Sequence, residues 1–392
     1  MKVFYLTPGC FDKGGISRFS RYQITALREL VGVDNVFVFS LLGPDEESFE
    51  EEFEVVYSAG GTSVSQRLAY VAKLYSTAIT NRPDIILSAH VNLSGVAKLL
   101  AKLVGSKSIV NIYGSEAWSE RKRNASWGLK HSDYVISDCH YTACYLEDNG
   151  LRPQNSVEVI WDCVDLERFF PALPAESTLK KYGIPGRADG INILTLGRLS
   201  SETAYKGYER LLEVFSRAIE RVSDLRLIYG GRGPMVEKLR QQAEALGLGN
   251  KVFFTGAIHD SDLPDVYRAA HLFSLVTNKG EGVGEGIPFT PLEAAACGIP
   301  LLVGNHDGSQ EAVVDGEGGY ILDPYDLEGQ VSAVIRLATN PQLRSQMGDA
   351  VRKRAELEFG FPEFLKKHDE LLTKWCFHKR SNLVEGRVQA AN

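Results

Sequence analysis

The stretch PALPAESTLKKYGIPGRADGINILTLG, residues 171–197, divides this 392-residue chain into two halves. Residues 171–190 are rich in Pro, Gly and Ala and lack the period of a strand, which is typical of a linker that contains a short helix. An apolar run restarts at Ile191 and stops at Gly197, as a buried strand does. Because a chain of this length is too long for one ordinary core, the stretch predicts two domains in succession.

On both sides of this linker, short apolar runs alternate with helical patterns. The runs before it are KVFYLTP, NVFVFSLL, FEVVYSA, PDIILSA, SKSIVNIYG, YVISDC and SVEVIWD, and those after it are INILTLG, LRLIYGG, KVFFTG, LFSLVT and IPLLVG. Strands that alternate with helices predict parallel α/β sheets. We therefore expect an α/β protein with an N-terminal domain over residues 1–172 and a C-terminal domain over residues 173–363. A final helix, near residues 364–392, is expected to pack back on the N-terminal domain.

The composition excludes several classes of protein. Hydrophobic residues make up 44% of the chain, which is enough for two buried cores. The formal net charge is -7, so the chain lacks the basic character of a nucleic-acid-binding protein, and the basic run at residues 121–123 is interpreted as a solvated face. The first apolar run is too short for a signal peptide, and no stretch is long enough to span a membrane. We expect a cytoplasmic protein that contacts a membrane at most peripherally.

The cysteines do not form a metal site or a disulfide framework in the sequence. Neither a C-x-x-C pair nor a His cluster accompanies them, so we expect reduced thiols and no zinc. They are Cys10, Cys139, Cys144, Cys163, Cys297 and Cys376.

Ligands of parallel α/β sheets bind where strands end and helices begin, so the loops there carry the chemistry. Gly14 and Gly15 follow the first strand, where backbone N–H groups can approach a phosphate. Arg198 and Lys206 follow the first strand of the second half, and two cations there can clamp a diphosphate. The turn at residues 230–234 allows close backbone approach to a planar ligand or a phosphate. Taken singly, these features are equally compatible with tight turns and surface cations.

Two glutamates flank the stretch EGIPFTPLE, residues 285–293, which follows a predicted strand and a Gly-rich loop. Glu285 lies in the loop and Glu293 in the first turn of the next helix, so both can face the crevice at the carboxyl edge of the sheet. Carboxylates accept hydrogen bonds from hydroxyls in pairs, which suits a sugar and a ribose. The alternative is that Glu293 complements the helix dipole and that Glu285 is solvated. The absence of G-x-G-x-x-G and P-loop motifs disfavours a dinucleotide oxidoreductase and a P-loop kinase.

In this order, the motifs resemble the retaining GT-B glycosyltransferases of glycosyltransferase family 4 over nearly the whole chain. EGIPFTPLE resembles the E-x7-E motif of that family, GGIS its N-terminal Gly-rich loop, and GRLSSETAYKG its G-R-L…K-G element. HDGSQEAVVDGEGGYIL resembles its G-G-x-x-E-x-V-x-D-G-x-x-G block, and VIWDCVDLERFFP its I-P-N-G-V-D-x-x-x-F-x-P entry to the second domain. The resemblance implies a GT-B fold, in which two Rossmann-like domains face each other across a cleft.

The resemblance also implies a role for each matched residue. Glu293 would bind the ribose hydroxyls, and Glu285 would hold hydroxyls of the transferred sugar without acting as a nucleophile. Arg198 and Lys206 would neutralise the diphosphate, so the leaving group would need no metal ion. The base, the phosphates and the sugar would also contact turns and main-chain N–H groups at Gly15, Gly231, Arg232, Ile258, Gly286, Ile287, Phe289 and Thr290.

One departure from the family pattern concerns the reaction centre. Many relatives carry a His that touches the donor sugar, whereas here the segment reads NIYGSE and places Tyr113 there. A phenol donates a hydrogen bond but is a poor proton acceptor at neutral pH. We therefore interpret Tyr113 and His90, which follows an earlier strand, as candidate catalytic residues, with Glu116 near the cleft. A core or loop histidine is the alternative for His90.

Two further departures lie elsewhere in the motifs. Asp307 replaces one Gly of the Gly-rich block, and Trp161, Asp162 and Cys163 replace Pro-Asn-Gly at the entry to the second domain.

The expected function is retaining transfer of a sugar from a nucleotide sugar to a hydroxyl of a glycan or lipid-linked acceptor. A UDP-sugar is the first expectation for the donor and GDP-mannose the second, in bacterial polysaccharide or envelope glycan synthesis. No cofactor and no metal are expected, and we find no clear D-x-D metal motif. The stretch SERKRNASWGLK, with Trp118 and Trp127 beside basic residues, predicts a peripheral membrane contact.

Two alternative functions remain at the level of the sequence. One is a non-catalytic nucleotide-sugar-binding protein with a decayed site, which the substitution at Tyr113 favours. The other is a different nucleotide-sugar enzyme on the same fold.

Overall fold

The computed structural model describes residues 1–45, 48–49, 53–119, 123–278 and 283–389, with side chains as far as Trp375. Arg121 and Lys122 of the basic run, and the side chain of Cys376, lie outside this part of the chain. The other cysteines are all free thiols, in agreement with the prediction. No helix among the described residues is long and apolar enough to cross a membrane.

The first half of the chain forms a seven-stranded parallel sheet. Its strands are β1 (Val3–Thr7), β2 (Val36–Ser40), β3 (Tyr57–Ser58), β4 (Ile85–Ser88), β5 (Lys107–Ile112), β6 (Tyr134–Ser137) and β7 (Val157–Val159). They lie in the order β3-β2-β1-β4-β5-β6-β7, with Val3 opposite both Val36 and Ile85. The strand order reverses beside β1, which is where ligands bind in doubly wound sheets.

The second half forms a six-stranded parallel sheet in the order β10-β9-β8-β11-β12-β13. Its strands are β8 (Ile191–Leu196), β9 (Leu225–Gly230), β10 (Val252–Phe254), β11 (Leu272–Leu275), β12 (Leu301–Gly304) and β13 (Gly319–Leu322). The edge strand β13 is absent from the sequence prediction. It is short, begins at a glycine and is only partly buried, so it lacks the continuous apolar run of a central strand.

Helices cover both faces of the two sheets. Those of the first half are α1 (Gly15–Val31), α2 (Val64–Asn81), α3 (Val91–Val104), α4 (Ser115–Trp118), α5 (Arg123–His131) and α6 (His140–Asp148). Those that follow are α7 (Glu176–Tyr182), α8 (Tyr208–Ala218), α9 (Met235–Ala245), α10 (Leu263–Arg268), α11 (Phe289–Ala296), α12 (Leu327–Thr339), α13 (Pro341–Glu358) and α14 (Phe361–Gln389). The short helix predicted within the linker is α7.

The last helix, α14, crosses back to the first sheet, which confirms the prediction. Phe364, Leu371, Leu372 and Trp375 belong to the apolar core beneath that sheet. The Phe364 ring lies edge-on to Phe19 of α1 with 5.5 Å between centroids, and the Trp375 ring stacks on Tyr134 of β6 at 4.7 Å.

A buried polar network joins α14 to the strands under the cleft. The amide oxygen of Gln23 accepts hydrogen bonds from the Tyr5 hydroxyl at 2.9 Å and from the Asn111 amide at 2.6 Å. The Gln23 amide nitrogen lies 2.9 Å from Nε2 of His368. Burial lowers the pKa of His368 to about 4, so the ring is neutral and its Nε2 can accept this bond while Nδ1 donates to the Phe364 carbonyl. Asn111 also donates to the Tyr113 hydroxyl, so the network reaches the cleft.

We predict that Trp375→Ala destabilises the protein because α14 contributes to the core of the first sheet. Trp375 is 4% exposed, and removing a buried Trp side chain costs roughly 3–5 kcal/mol of unfolding free energy. Chemical denaturation measures the change. Leu357→Ala is the matched control, since Leu357 lies on the exposed face of α13 and its truncation should cost about 0.5 kcal/mol or less. Equal costs for the two variants would contradict the packing of α14.

Candidate functional site

The two sheets face each other across a cleft with a volume of about 390 Å³. The first sheet contributes the loops after β1, β5, β6 and β7, and the second contributes the loop after β8 and the start of α11. These loops all leave the carboxyl ends of strands, as expected for a ligand site in a parallel sheet.

Glu285 lies in this cleft with a hydroxyl and an ammonium group beside it. Its Oε1 accepts a hydrogen bond from the Tyr205 hydroxyl at 2.6 Å and lies 3.0 Å from Nζ of Lys206. Its backbone N–H donates to Oδ2 of Asp307 at 2.9 Å, while Oδ1 of Asp307 accepts from the backbone of Ser309 at 3.0 Å. Asp307, which replaces a family glycine, therefore fixes the backbone of Glu285.

Glu293 is buried in the same cleft, with only 2% of its surface exposed. Its Oε1 accepts from the Arg18 guanidinium at 2.7 Å, and its Oε2 accepts from the Tyr267 hydroxyl at 2.6 Å. Burial raises the pKa of Glu293, although the charge of Arg18 and the hydrogen bond from Tyr267 lower it. The carboxylate is thus held by one residue from each half of the chain.

The sequence has one D-x-D pattern, Asp260 to Asp262, and both of its carboxylates form ion pairs with basic side chains. Asp260 lies 2.8 Å from both Arg18 and Arg168, and Asp262 lies 2.6 Å from Lys181. Burial raises the pKa of Asp260, but the hydrogen bond from Arg168 and the charge of Arg18 lower it overall. Among the described residues, no group of His, Cys, Asp and Glu is arranged to hold a metal ion.

Residues 286–290, which lead into α11, line the cleft, and one of their backbone N–H groups already donates a hydrogen bond within the protein. The backbone N–H of Ile287 donates to Oδ2 of Asp138, across the cleft, at 3.2 Å. A Cβ on Gly15 would lie 3.7 Å from the Phe289 ring, so α1 and α11 meet there. Thr290 lines the cleft, and its hydroxyl oxygen is buried with no hydrogen-bond partner among the residues that the structure describes.

Four predicted donor-site residues do not line the cleft in the described part of the chain: Arg198, Gly231, Arg232 and Ile258. Arg198 is exposed on the loop after β8. Gly231 has a φ of 116°, and a Cβ there would overlap the Gly197 carbonyl, so packing between two strand exits already requires this glycine. Their roles toward a ligand stay predictions.

The two candidate catalytic residues lie in different places. The Tyr113 ring packs edge-on against Phe19 at 5.1 Å, and burial raises the pKa of its phenol well above its usual range. The backbone of Tyr113 belongs to the loop after β5, where its N–H donates to the Glu116 carboxylate at 2.6 Å. His90 caps α3 by accepting from the backbone of Asn92, and it lines a second cavity of about 650 Å³ in the first half. This cavity and the cleft share Gly15 and Ile16.

Several cleft residues are missing from the sequence prediction. Sequence motifs could have identified Arg18 and Tyr205 as cleft residues, because Arg18 follows the first Gly-rich loop and Tyr205 lies inside GRLSSETAYKG. Asp138 and Asp162 follow β6 and β7, and their position after strand ends is the signal that could have identified them. No sequence motif points to Tyr267, because only the tertiary fold brings it to Glu293.

Two family models match the chain, one on each half. The model described as Glycosyltransferase Family 4 matches residues 13–168, and the model described as Glycosyl transferases group 1 matches residues 183–354.

Two curated relatives are about one third identical to this chain over the residues that align. The GDP-mannose-dependent alpha-(1-6)-phosphatidylinositol monomannoside mannosyltransferase of Mycolicibacterium smegmatis is 32% identical over 261 residues, which cover 64% of this chain and 66% of that protein. The mannosylfructose-phosphate synthase of Agrobacterium fabrum is 35% identical over 193 residues, covering 47% of this chain and 40% of that protein. The chain thus spans less than two thirds of the length of these relatives.

Solved structures share the fold. HepE of Anabaena, crystallised with UDP, superimposes with a TM-score of 0.77 at 18% identity, covering 95% of this chain and 100% of HepE. The sucrose-phosphate synthase of Thermosynechococcus elongatus gives a TM-score of 0.75 at 18% identity, covering 96% of this chain and 100% of that one. The predicted architecture of two Rossmann-like domains across a cleft is confirmed.

We predict that Arg18→Met destabilises the protein and that the loss grows with pH. Removing one partner of a buried ion pair leaves an uncompensated charge and costs roughly 3–5 kcal/mol at neutral pH. Without Arg18, the pKa of Glu293 rises further, so the native state must bury an unpaired charge once the pH exceeds that pKa. Denaturant unfolding at pH 5 and pH 8 should show the larger loss at pH 8. Arg198→Met is the exposed control, and a loss that is independent of pH would argue against the pairing.

Proposed function

Since this chain belongs to glycosyltransferase family 4, we propose that it moves a hexose from a nucleotide sugar to an acceptor hydroxyl in the cleft, with retention at the anomeric carbon. The observation that carries the proposal is the convergence of Glu285 and Glu293 on one cleft, each beside a cation. Glu293 binds the ribose of the donor, and Glu285 holds hydroxyls of the transferred sugar.

Charge development in the reaction fits these side chains. Breaking the anomeric bond places positive charge on the sugar and negative charge on the leaving diphosphate. Lys206 lies in the cleft next to Glu285, where its ammonium can neutralise the diphosphate without reorganisation. Arg198, on the same loop, is exposed and does not line the cleft, so we assign the diphosphate to Lys206 and propose that the reaction proceeds without a metal ion. The backbone N–H groups of Phe289 and Thr290, in the first turn of α11, contribute fixed dipoles, whereas Pro288 has no N–H and that of Ile287 is bonded to Asp138.

We propose two classes of donor nucleotide for testing. The relative from Mycolicibacterium smegmatis is named for GDP-mannose, and HepE was crystallised with UDP. We propose GDP-mannose and UDP-sugars as the donors to test.

The acceptor enters through the cavity of the first half. This cavity adjoins the cleft at Gly15 and Ile16, and His90 lies on its wall. Its lining combines apolar side chains such as Leu42 and Val71 with polar ones such as Asn92, which suits a glycan attached to a lipid.

A surface next to this cavity supports peripheral membrane contact. Helices α2 and α3 carry no acidic residue, and both expose apolar side chains. Those with the largest exposed fractions are Val64, Leu68, Ile79, Leu99 and Leu103. Lys73 and Lys102 belong to the same helices, which gives the mixture of cations and apolar groups that binds anionic lipid.

The membrane stretch predicted from the sequence is less suitable. Trp118 turns inward, with its ring edge-on to Tyr141 at 5.8 Å, and Trp127 stacks on His131 at 4.9 Å. Residues 120–122 of that stretch lie outside the described residues. We therefore assign the contact to α2 and α3.

A non-catalytic binding protein is the competing function, because the Tyr113 phenol is bonded within the core. Donor turnover separates the two: hydrolysis or transfer of the sugar excludes a purely binding role.

We predict that a panel of nucleotides and nucleotide sugars will contain a ligand that raises the melting temperature. Glu293→Gln should weaken binding of that ligand by roughly tenfold, because a charge-assisted hydrogen bond to the ribose is lost. Glu285→Ala should leave nucleotide binding intact and lower kcat by about a hundredfold. Calorimetry and initial rates measure the two effects, and Glu317→Gln, at an exposed site, is the control. Small and equal effects of the two site variants would refute this division of roles.

We also predict that the protein co-sediments with vesicles of anionic phospholipid and dissociates as salt is raised, since screening weakens the attraction of Lys73 and Lys102. The double variant Leu68→Glu/Leu103→Glu should remain in the supernatant, while Leu357→Glu, at an exposed leucine of α13, should behave like the wild type. Binding that needs no anionic lipid, or that survives in the double variant, would contradict the assignment.

A further inference from the structure

Two aspartates in the wall of the cleft each have a carboxylate oxygen with no hydrogen-bond partner in the part of the chain that the structure describes. Asp138 and Asp162 are 4% and 5% exposed, and both line the cleft. The Oδ1 atom of each is buried and accepts no hydrogen bond from any described residue. Oδ2 of Asp138 accepts from Ile287, and neither carboxylate has a cation within ion-pair distance among the described residues. Because a buried, unpartnered carboxylate is costly, these oxygens indicate a group that donates to them.

The charges of the cleft point to a cationic group. Its described acidic side chains outnumber the basic ones. Lys206 is already paired with Glu285, and Arg18 with Glu293 and Asp260. Lys13, the remaining basic residue of the lining, is exposed. A nucleotide diphosphate would engage these cations and add further negative charge, so the carboxylates of Asp138 and Asp162 would have no cationic partner among the described residues.

The two carboxylates act on each other. Burial raises the pKa of Asp162, and the charges of Asp138 and Glu285 raise it further. Burial also raises the pKa of Asp138, with a contribution from Glu116. A bound cation would offset both the energetic cost of burying the charged carboxylates and their mutual repulsion. A neutral hydroxyl would supply only the missing hydrogen bonds.

We propose that Asp138 and Asp162 form a subsite for an ammonium group of the acceptor, so that the acceptor is an amino sugar or an aminocyclitol. This inference rests on the proposed function and specifies its acceptor. An ammonium group offers three donors for the unpartnered oxygens of this wall. Asp162 stands where the family motif has Asn, and that exchange converts a neutral position into an anionic one.

The test compares three sugars that differ at one substituent: glucosamine, glucose and N-acetylglucosamine. Calorimetry measures their affinity for the full-length protein in the presence of saturating nucleotide. We expect glucosamine to bind at least roughly tenfold more tightly than the two neutral sugars, because a charge-assisted contact is worth about that factor. Asp162→Asn, which restores the family residue without changing the shape, should remove this preference. Asp138→Asn should also remove it, while its amide oxygen can still accept from Ile287.

The outcomes are distinct. Equal affinities for the three sugars, no measurable binding of glucosamine, or a preference that survives in Asp162→Asn would each overturn the proposal. The melting temperature and nucleotide affinity of Asp162→Asn should match or exceed those of the wild type, because the substitution removes a buried charge. If the wild type bound no nucleotide of the panel, the proposed function would fail. If nucleotide bound normally without any preference for glucosamine, only the ammonium subsite would fail.

Discussion

The close approach of the two halves at Gly286 is the constraint on which the site depends. Gly114 pairs with Glu285 through an isolated bridge, and a Cβ on Gly286 would collide with Oδ2 of Asp138. A Cβ on Gly308 would meet the Gly286 carbonyl. Backbone therefore meets backbone across the interface, and that contact sets the distance between the acidic side chains of the first sheet and the loop of the second half that carries Glu285. The glycines serve packing as well as any ligand.

The cleft divides its charges between its walls. Glu285 and Lys206 both come from the second half, whereas the unpaired carboxylates Asp138 and Asp162 come from the first. Arg18 crosses this division, since it extends from α1 to Glu293 and Asp260. These ion pairs join elements that are far apart in the sequence, so Arg18 ties the first half of the chain to Glu293 and Asp260 of the second. The same division separates the anionic donor from the position assigned to a cationic acceptor.

The tertiary structure explains two positions at which this chain departs from the family motifs. Asp307 accepts from the backbone of Glu285 and of Ser309, so it replaces the freedom of a glycine with two hydrogen bonds. Tyr113 ends a polar network that runs through Asn111 and Gln23 to His368 of α14. The last helix and the floor of the cleft are thus one buried unit, and a phenol at this place has a structural partner whether or not it meets a sugar.

The sequence by itself determined the two parallel α/β domains, the returning last helix and the motif that carries Glu285 and Glu293, because apolar periods and glycine-rich strand exits are local signals. The sequence pattern did not reveal the edge strand β13, because edge strands need little continuous apolar sequence. Only the tertiary structure decided that Arg18 and Tyr267 hold Glu293, that His90 faces a different cavity from Glu285, and that two aspartates lie unpaired in the wall. Those facts depend on distances between residues far apart in the chain, and such distances are set by the packing of the two halves rather than by any local pattern.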